Sequence, residues 1–376
     1  MKIFVPKESD PNETRIAMPP DVAAKLTGLG AEVVVEEGLG SHLNYTSEDY
    51  QKGSVIISND REASLKEADI VLRLGLPSVE EIGKMKEGSI HVSHLDPFNH
   101  GELLDAFAKA KVTAICMELM PRTTIAQKMD ALSSQANLAG YVAVILAAER
   151  LNRIFPMLIT PAGTISPVRV LVIGAGVAGL QAIATAKRLG ARVEAYDTRP
   201  VVEEQVRSVG AKFLKIDLGE TGETKDGYAK ELTEEQLQKQ REAMAKFCAN
   251  ADVVITTAKV FGRKAPLIIT KEMVDGMKKG SIIVDLAAET GGNVEYTEKG
   301  KEIDVNGVHI IGFTNYAGLV PVDASAMYGN NLFHLLDHFW NKEEKKFELN
   351  MEDEILQGAV VTLDGKIVHS LFKDKN

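Results

Sequence analysis

The chain has 376 residues, 45% of them hydrophobic and 26% charged, and its 43 basic and 53 acidic side chains give a formal net charge of −10. This length exceeds one ordinary core and predicts two domains. The composition is that of a globular protein, and the acidic balance argues against nucleic acid or an anionic membrane as a main partner. The two cysteines, Cys116 and Cys248, form no CxxC pair, which argues against a disulfide framework and favours a reducing cytosol.

The first third of the chain alternates short apolar runs with amphipathic stretches. Strands are predicted at 2–6, 31–36, 54–58, 69–74, 89–94 and 113–119, and helices at 21–29, 80–86 and 102–109. Such alternation predicts a parallel sheet covered on both faces. The first strand lacks the long apolar run of a secretory signal peptide.

A long helical pattern over 135–152 follows, and Ser133 and Ser134 suit its N-cap. Because it consists mostly of Ala, Leu and Val, we expect this helix to be buried and to cross between two domains. Three prolines interrupt any regular element after it: Pro156, Pro161 and Pro167.

A second strand–helix series begins at residue 168. Strands are predicted at 168–173, 192–196, 212–216, 252–256, 281–285 and 308–314, and a strong helix at 323–340. The polar, aperiodic segment 217–231 indicates a functional flap or a disordered link. Asp364-Gly365 between two apolar runs predicts a β-hairpin. The apolar stretch 168–186 is better explained by a strand, a tight turn and a helix than by a membrane span, and no transmembrane segment is expected.

A glycine-rich motif joins the first strand and helix of this second series. The run Gly174-Ala175-Gly176-Val177-Ala178-Gly179 has the GxGxxG spacing of a dinucleotide site. Gly174 permits the tight turn, Gly176 lets the backbone approach a pyrophosphate, and Gly179 allows close helix–strand packing. The helix N-terminus adds free N–H groups for the phosphates. Alone the motif is weak, since an ordinary glycine-rich turn has the same residues.

Asp197 strengthens the motif. It stands eighteen residues beyond Gly179, at the end of the next predicted strand. A carboxylate there accepts hydrogen bonds from both ribose hydroxyls and repels a 2′-phosphate, so the site is predicted to hold NAD(H) rather than NADP(H). Arg199 is the kind of residue that accommodates NADP(H), but with Asp197 in place we expect it to pack on the adenine. The alternative for Asp197 is a strand-end turn residue.

Few side chains offer acid–base chemistry. His94 ends a predicted strand, where active-site residues of α/β sheets collect, and Arg15 and Arg73 could bind a substrate carboxylate. Equally, His94 could be a polar strand-end residue and both arginines could be solvated, and the residues alone leave this open. No HExxH, CxxC or Asp-rich metal motif occurs, so no metal is expected.

The loop 117–130 is the other notable segment, because it follows a strand and precedes the long helix. Arg122 and Asp130 could pair within it and leave Gln127 free to meet a bound ring. A loop stabilised by an exposed ion pair is the plainer interpretation, and composition alone favours it.

The whole set of motifs resembles a known family. From residue 1 to about 365, the chain is similar to the NAD(H)-binding component of proton-translocating nicotinamide nucleotide transhydrogenase, in the form encoded as a separate soluble alpha subunit. The resemblance is strongest at 121–141, at 170–189, at Asp-Gly-Tyr-Ala-Lys (226–230) and at Asp-Leu-Ala-Ala-Glu-Thr-Gly-Gly-Asn (285–293). The sequence departs from the family at 258–266, where the family has Leu-Ile-Pro-Gly-Lys-Pro.

This resemblance implies roles for individual residues. The nicotinamide, its carboxamide and its ribose would be held by Arg122, Gln127, Asp130 and Ser133. The pyrophosphate would be cradled by Gly174, Gly176, Val177 and Gly179, and the adenosine would be surrounded by Asp197, Thr198 and Arg199. A mobile loop with Gly227 and Tyr228 would close over the nucleotide, and Ala258 and Lys259 would also contact it.

The resemblance further implies that hydride passes directly between NAD(H) on this chain and NADP(H) on a partner beta subunit. Both reacting atoms are carbons, so no base is required, and orientation of the two rings supplies the rate. A membrane-spanning subunit would move the proton. The chain would then be cytoplasmic, peripheral to the inner membrane through its partners, without direct membrane insertion, and a homodimer.

The predicted fold is two Rossmann-like, doubly wound parallel-sheet α/β domains around a cleft, the first discontinuous (1–132 plus 325–376) and the second, 133–324, binding NAD(H). One alternative is alanine dehydrogenase, a related family in which Arg15, Arg73 and His94 match substrate positions. That family would have lysine at Arg73 and aspartate at Glu289, and it lacks the Arg122–Asp130 loop. Another alternative is a catalytically silent NAD(H) sensor.

Overall fold

The computed structural model describes residues 1–219, 222, 233–260 and 262–373. The chain forms two compact units, one made of Met1–Gln135 with Gly318–Asn376 and the other of Ala136–Ala317. The predicted division falls after residues 132 and 324, whereas the observed units divide after residues 135 and 317. The two divisions differ near the starts of two helices, Ala131–Arg150 and Pro321–His338. We call the two units the discontinuous unit and the central unit.

The strands of the discontinuous unit before residue 135 are β1 Lys2–Val5, β2 Glu32–Glu36, β3 Ile56–Ser58, β4 Ile70–Leu72, β5 Ile90–Ser93 and β6 Thr113–Cys116. Those of the central unit are β7 Leu158–Thr160, β8 Gly163–Ile165, β9 Arg169–Ile173, β10 Arg192–Tyr196, β11 Lys212–Phe213, β12 Val253–Thr256, β13 Ile282–Asp285, β14 Lys301–Val305 and β15 Val308–Gly312. The C-terminal strands are β16 Trp340–Asn341, β17 Lys346–Phe347, β18 Val360–Leu363 and β19 Lys366–Ile367.

The helices follow in the same order. The first six are α1 Pro20–Gly28, α2 Ser47–Lys52, α3 Arg61–Glu67, α4 Val79–Ile82, α5 Gly101–Lys109 and α6 Ala131–Arg150. The others are α7 Val177–Arg188, α8 Glu203–Ser208, α9 Glu234–Asn250, α10 Lys271–Asp275, α11 Pro321–His338 and α12 Glu354–Ala359.

The sheet of the discontinuous unit has the order β19-β18-β6-β5-β4-β1-β2-β3. Strands β1 to β6 pair in parallel, while β18 and β19 pair antiparallel at one edge. Both faces are packed: Val5 and Leu72 meet α1 and α11 on one face, and Phe4 and Val71 meet Leu65 and Phe107 on the other. Burial on both faces explains why these strands are nearly continuous apolar runs.

The sheet of the central unit has the order β11-β10-β9-β12-β13-β15-β14. All pairs are parallel except β14 with β15. Leu171, Val254 and Ile283 pack on one face against Met244 and Cys248 of α9. In this order the chain reverses direction across the sheet between β9 and β12, and such a switch point is where doubly wound sheets bind ligands. Both units therefore have the predicted Rossmann-like α/β fold.

Helix α6 differs from its prediction. It begins at Ala131, four residues before the predicted start at 135, and it is not uniformly buried: Tyr141 is 42% and Ile145 37% exposed. Among the described residues it is the helix whose length and composition would suit a membrane crossing. The core helix of a soluble protein meets the same criterion, so this finding carries little weight. The prediction that the chain has no transmembrane segment stays a prediction.

A short hairpin follows α6, where no regular structure was predicted. The three prolines were expected to exclude regular structure after α6, yet β7 and β8 form an antiparallel hairpin between Pro156 and Pro167. The prediction was wrong because neither strand contains a proline, and Pro161 lies in the turn.

Two other predictions are confirmed. The stretch 168–186 forms strand β9, a turn and helix α7. The hairpin at Asp364-Gly365 is present, with both turn residues at positive φ.

Candidate nucleotide site and loop 121–133

The glycine-rich turn lies between β9 and α7, at the switch point of the central sheet. Gly174 has a φ of 94°, and a Cβ there would lie 2.5 Å from Oγ1 of Thr257 on the neighbouring β12 connection. A Cβ on Gly179 would overlap the carbonyl oxygen of Gly174. These two glycines are therefore required by the backbone conformation and by the close approach of α7 to β9.

The start of α7 offers an open, positively polarised surface. Gly176 is the N-cap residue, and a Cβ built on it would meet no atom within 4 Å. Val177, the first helical residue, is 40% exposed. The first N–H groups of a helix have no intrahelical partner, so this end suits a phosphate or another anion.

Asp197 follows β10 and lies beside this turn. Its Oδ2 accepts the Ala175 N–H at 2.7 Å, and its Oδ1 accepts the backbone N–H of Arg199 at 2.9 Å. The Arg199 side chain also donates to it, from Nε to Oδ1 at 2.9 Å and from Nη2 to Oδ2 at 2.8 Å. Arg199 was expected to pack on an adenine. In this structure it pairs with Asp197, because a carboxylate suits its planar fork, and its packing on adenine stays a prediction. Thr198, between them, is half-buried.

The other wall of the switch point is the loop 258–266, where the sequence departs from the family. Asn293, fully buried, holds both ends of this loop: its Oδ1 accepts the Ala258 N–H at 3.1 Å, and its Nδ2 donates to the carbonyls of Ala258 and Pro266, both at 2.8 Å. Lys259 is exposed, with its Nζ 4.0 Å from the Glu289 carboxylate. Ala258 is thus fixed by hydrogen bonds between its backbone and the Asn293 amide. These hydrogen bonds do not involve the side chains of the loop, which differ from those of the family.

Asp285 in turn holds Asn293. Its buried carboxylate accepts the backbone N–H of Asn293 at 2.8 Å and the hydroxyls of Thr256 at 3.0 Å and Thr297 at 2.7 Å. Neither Asp285 nor Asn293 was predicted as a site residue. Their signal in the sequence is the 285–293 motif, at whose two ends they stand. Gly227 and Tyr228, predicted to close over the nucleotide, lie outside the described residues.

In the discontinuous unit, the four predicted loop residues share one concavity. It has a volume of about 330 Å³ and is lined by Pro121, Arg122, Gln127, Asp130 and Ser133. Arg122 and Gln127 are exposed, and Asp130 and Ser133 are half-buried. The loop therefore presents a cation, an amide, a carboxylate and a hydroxyl on one small surface.

Asp130 shapes this surface by capping α6. Its Oδ1 accepts the N–H of Ser133 at 2.8 Å and its Oδ2 accepts the Ser133 hydroxyl at 2.5 Å. A serine of the pair Ser133-Ser134 was expected to be the cap. That prediction was wrong because α6 starts earlier, which makes Asp130 the cap and places Ser133 in the first turn. The Asp130 carboxylate is thus fixed in place by two hydrogen bonds from Ser133.

Asn331 of α11 was not predicted from the sequence. Its Nδ2 donates to the Lys128 carbonyl at 2.9 Å, and its Oδ1 accepts the Ser134 hydroxyl at 2.7 Å. It lies 203 positions from Lys128 in the sequence, and no local motif marks it. The loop and the start of α6 are therefore tied to the core of the discontinuous unit by one nearly buried amide.

The switch point of the discontinuous sheet, between β1 and β4, is filled by the chain's own side chains. Arg73 is fully buried, and it donates to the Glu81 carboxylate and the Ser9 hydroxyl at 2.8 and 2.9 Å. Glu8 accepts the N–H groups of Leu74 and Gly75 at 2.8 and 3.0 Å, as a bound anion would. Burial raises the pKa of Glu81, but the charges of Arg73 and Arg61 and hydrogen bonds from Ser78 and Arg73 together outweigh burial and lower that pKa to about 2.

Arg15 and His94 are likewise engaged. Arg15 donates to both oxygens of Glu13, at 2.8 and 2.7 Å, and to Gln135 at 2.9 Å. His94 Nδ1 lies 3.4 Å from Oε2 of Glu118. Burial raises the pKa of Glu118, but His94 and several hydrogen bonds outweigh burial and lower it to about 2. The arginines are therefore neither solvated, as one interpretation of the sequence holds, nor arranged around an open substrate site.

A larger concavity, of about 520 Å³, lies beside the edge strand β11 of the central unit. Its basic side chains are in ion pairs: Lys212 with Glu194, and Arg207 and Lys215 with Glu203. It contains none of the predicted site residues, and size alone does not make a site. The smaller concavity of loop 121–133 is chemically the more suitable candidate.

Two family models cover most of the chain. Residues 4–139 match the model "Alanine dehydrogenase/PNT, N-terminal domain", and residues 143–370 match "Alanine dehydrogenase/PNT, C-terminal domain". These matches extend across both units.

Three relatives give the comparison more detail. The chain is 46% identical to the first section of the NAD(P) transhydrogenase alpha subunit of Rhodospirillum rubrum, over 98% of each chain. The structure matches a transhydrogenase from Sinorhizobium meliloti with a TM-score of 0.85 and 42% identity, over 99% of this chain and 100% of that one. An alanine dehydrogenase of Mycolicibacterium smegmatis is 26% identical, over 98% of this chain and 95% of its own. The chain therefore belongs to the alanine dehydrogenase/PNT family, and within it is more similar to these transhydrogenases than to this alanine dehydrogenase.

Proposed function

We propose that the chain is the NAD(H)-binding component of a proton-translocating transhydrogenase. One contrast within the discontinuous unit carries this choice over alanine dehydrogenase. The arginines that could bind an acid substrate are held by Glu13, Glu8 and Glu81, whereas the polar concavity of loop 121–133 is open. A dehydrogenase of 2-amino acids needs arginines that can bind the carboxylate of its substrate. A transhydrogenase needs only the loop concavity, where the nicotinamide would lie.

The central unit fits a dinucleotide. Gly174, Gly176, Val177 and Gly179 would cradle its pyrophosphate, since the open surface at Gly176 adjoins the free N–H groups of α7. Asp197, with Thr198 and Arg199, would bind the adenosine end and exclude a 2′-phosphate. Ala258 and Lys259 would line the opposite wall. The roles of Gly227 and Tyr228 in closing over the nucleotide are part of the proposal on sequence grounds alone.

The loop residues would hold the nicotinamide end. Gln127 and Arg122 can donate hydrogen bonds to the carboxamide oxygen, and the Asp130–Ser133 pair can fix the ribose hydroxyls. Bound NADH would supply the hydride, which passes to NADP⁺ on the partner. No oxygen or nitrogen acid loses a proton in that step, so the chain's contribution is to orient the ring and exclude water.

The remaining components follow from this reaction. NADP(H) would be held by a partner beta subunit, and a membrane-spanning subunit would move the proton. The chain would lie on the cytoplasmic side, peripheral to the inner membrane through those partners.

A homodimer is the proposed state of the chain. Its support is a set of exposed apolar side chains around the β7–β8 hairpin, which water would otherwise solvate: Ile154, Met157, Leu158, Ile159 and Ile165. Ile159 at the hairpin is 70% exposed.

Nucleotide titration of the purified chain, combined with a dehydrogenase assay, tests the proposal. We expect NADH fluorescence to report tight binding with much weaker binding of NADPH. With pyruvate and ammonium added, the NADH absorbance should stay constant. Steady turnover in that assay would favour alanine dehydrogenase, and absence of NADH binding would contradict both functions. A silent sensor would bind NADH equally but would transfer no hydride even with every partner supplied.

A further inference from the structure

The Asp197 carboxylate is saturated with hydrogen bonds before any nucleotide binds. A carboxylate has about four acceptor positions, two on each oxygen. Oδ1 accepts the backbone N–H and the Nε–H of Arg199, both at 2.9 Å. Oδ2 accepts the Ala175 N–H at 2.7 Å and the Nη2–H of Arg199 at 2.8 Å. No position remains for a ribose hydroxyl.

The four donors are of two kinds. Two are backbone N–H groups, of Ala175 in the glycine-rich turn and of Arg199 after β10, and they are fixed by the fold. The other two belong to the Arg199 guanidinium, which a rotation of the side chain can remove. Its departure would free one acceptor position on each oxygen. Two neighbouring hydroxyls of a ribose need such a pair of positions.

We propose that Arg199 is a latch on the ribose subsite, an inference that rests on the proposed NAD(H) function. In the nucleotide-free chain its guanidinium occupies the two Asp197 positions that the ribose hydroxyls take, and NADH binding displaces it. The pair is largely shielded from solvent, with the Arg199 side chain 15% and that of Asp197 6% exposed, so displacement costs more than for a surface pair. The backbone N–H of Arg199 keeps the residue next to the carboxylate after its side chain leaves.

The latch also bears on specificity. A 2′-phosphate cannot donate to Asp197 and is repelled by it, so NADPH does not displace Arg199 as NADH does. Without the Asp197 charge, the same guanidinium is a ligand for the 2′-phosphate. Arg199 therefore becomes a ligand for NADPH only when its partner Asp197 loses its charge.

A double-mutant cycle on the full chain tests this. NADH and NADPH are titrated by fluorescence into wild type, Arg199→Met, Asp197→Asn and the double variant. The latch predicts that Asp197→Asn weakens NADH binding by a roughly threefold to tenfold larger factor when Arg199 is absent, because the carboxylate is then free of its competitor. The cycle cancels any contact that Arg199 makes with other parts of the nucleotide. Asp197→Asn alone should raise the affinity for NADPH, and Arg199→Met should abolish that gain.

A smaller Asp197 effect in the Arg199→Met background would overturn the latch, since it would mean that Arg199 merely orients the carboxylate. Arg199→Lys keeps the positive charge without the planar fork. In that background, the factor by which Asp197→Asn weakens NADH binding should lie between those for wild type and Arg199→Met. The same variant replaces Arg199→Met in the cycle if Arg199→Met is too unstable to titrate. Arg207→Met removes an exposed ion pair with Glu203 and should leave both titrations unchanged. If the wild-type chain itself fails to bind NADH, the proposed function is wrong. If it binds NADH but the Asp197→Asn effect is smaller without Arg199, only the latch is wrong.

Discussion

At the scale of single residues, Asp197 is the side chain expected to set nucleotide preference. Asp197→Ala removes the acceptor for the ribose hydroxyls and the charge that repels a 2′-phosphate. We expect NADH affinity to fall by about tenfold to a hundredfold, with preference against NADPH relaxed. Parallel titrations of the two nucleotides measure this. Unchanged selectivity would remove Asp197 from the nucleotide site.

Gln127 lines the loop concavity and should act on orientation rather than on binding. Gln127→Asn withdraws the amide by one methylene. NADH affinity should stay nearly constant, while hydride transfer in the complex with the partner subunits slows by about tenfold or more, because small misplacements of reacting groups cost rate. Lys128→Ala, an exposed neighbour that does not line the concavity, is the matched control. Equal rates for Gln127→Asn and wild type would count against a role for the loop.

Some of these residues were predictable and others were not. The glycine-rich turn and Asp197 are recognisable because both lie within one local strand–turn–helix unit. Asn331 acts from an element far away in the sequence and no local motif marks it, whereas Asn293 stands in the 285–293 motif but its buried role depends on the fold. Arg15 and Arg73 were uncertain for a related reason: only the fold shows that Glu13, Glu8 and Glu81 neutralise them.

At the scale of elements, the loop 258–266 depends on an amide from outside it. Asn293→Ala leaves the Ala258 N–H and two carbonyls without their partner. We expect a loss of about 1–3 kcal/mol in the free energy of unfolding, faster amide exchange over 258–269 and weaker NADH binding. Urea unfolding and hydrogen exchange measure the first two.

Asn250→Ala is the control for that change, because the Asn250 amide donates to a carbonyl of its own helix. It should leave exchange over 258–269 unaltered. If Asn293→Ala also left that exchange unaltered, Asn293 would not be what fixes the loop.

Periodicity predicted the elements that are buried on one or two faces. The parallel strands β1, β9, β10 and β13 and helix α11 lie within two residues of their predicted bounds. Helices α2, α3 and α9 were missed, because their exposed faces are polar and their apolar signal is short. The edge strand β14 was missed for the same reason, with no fully buried residue.

At the scale of the whole molecule, association through the exposed hairpin is the proposal most open to test. Ile159→Asp places a charge on the most exposed apolar residue of the β7–β8 hairpin. We expect the molar mass measured by light scattering to fall from that of a dimer to that of a monomer. Leu371→Asp, 51% exposed in the discontinuous unit, should leave the mass unchanged. An unchanged mass for Ile159→Asp would place the interface elsewhere, and a monomeric wild type would contradict the homodimer.

The two-unit architecture itself was predictable, since length and two strand–helix series indicate it. The glycine-rich motif predicted a nucleotide site in the second series, but the sequence could not show that the switch point of the first sheet is filled. In the discontinuous unit that position is filled by Glu8 and Arg73, and in the central unit the surface at Gly176 is open. This difference follows from long-range packing of side chains and not from any local pattern.

The central claim, direct hydride transfer from NADH on this chain to NADP⁺ on a partner, is tested most directly by isotope transfer. The purified chain is mixed with the NADP(H)-binding component of a transhydrogenase, NADP⁺ and NADH carrying deuterium at both C4 positions, and the NADPH formed is analysed by mass spectrometry. We expect deuterium in the NADPH, none of it exchanged with solvent, and no reaction when either protein is omitted. Unlabelled NADPH, or none formed by a partner that is active with another alpha subunit, would contradict it.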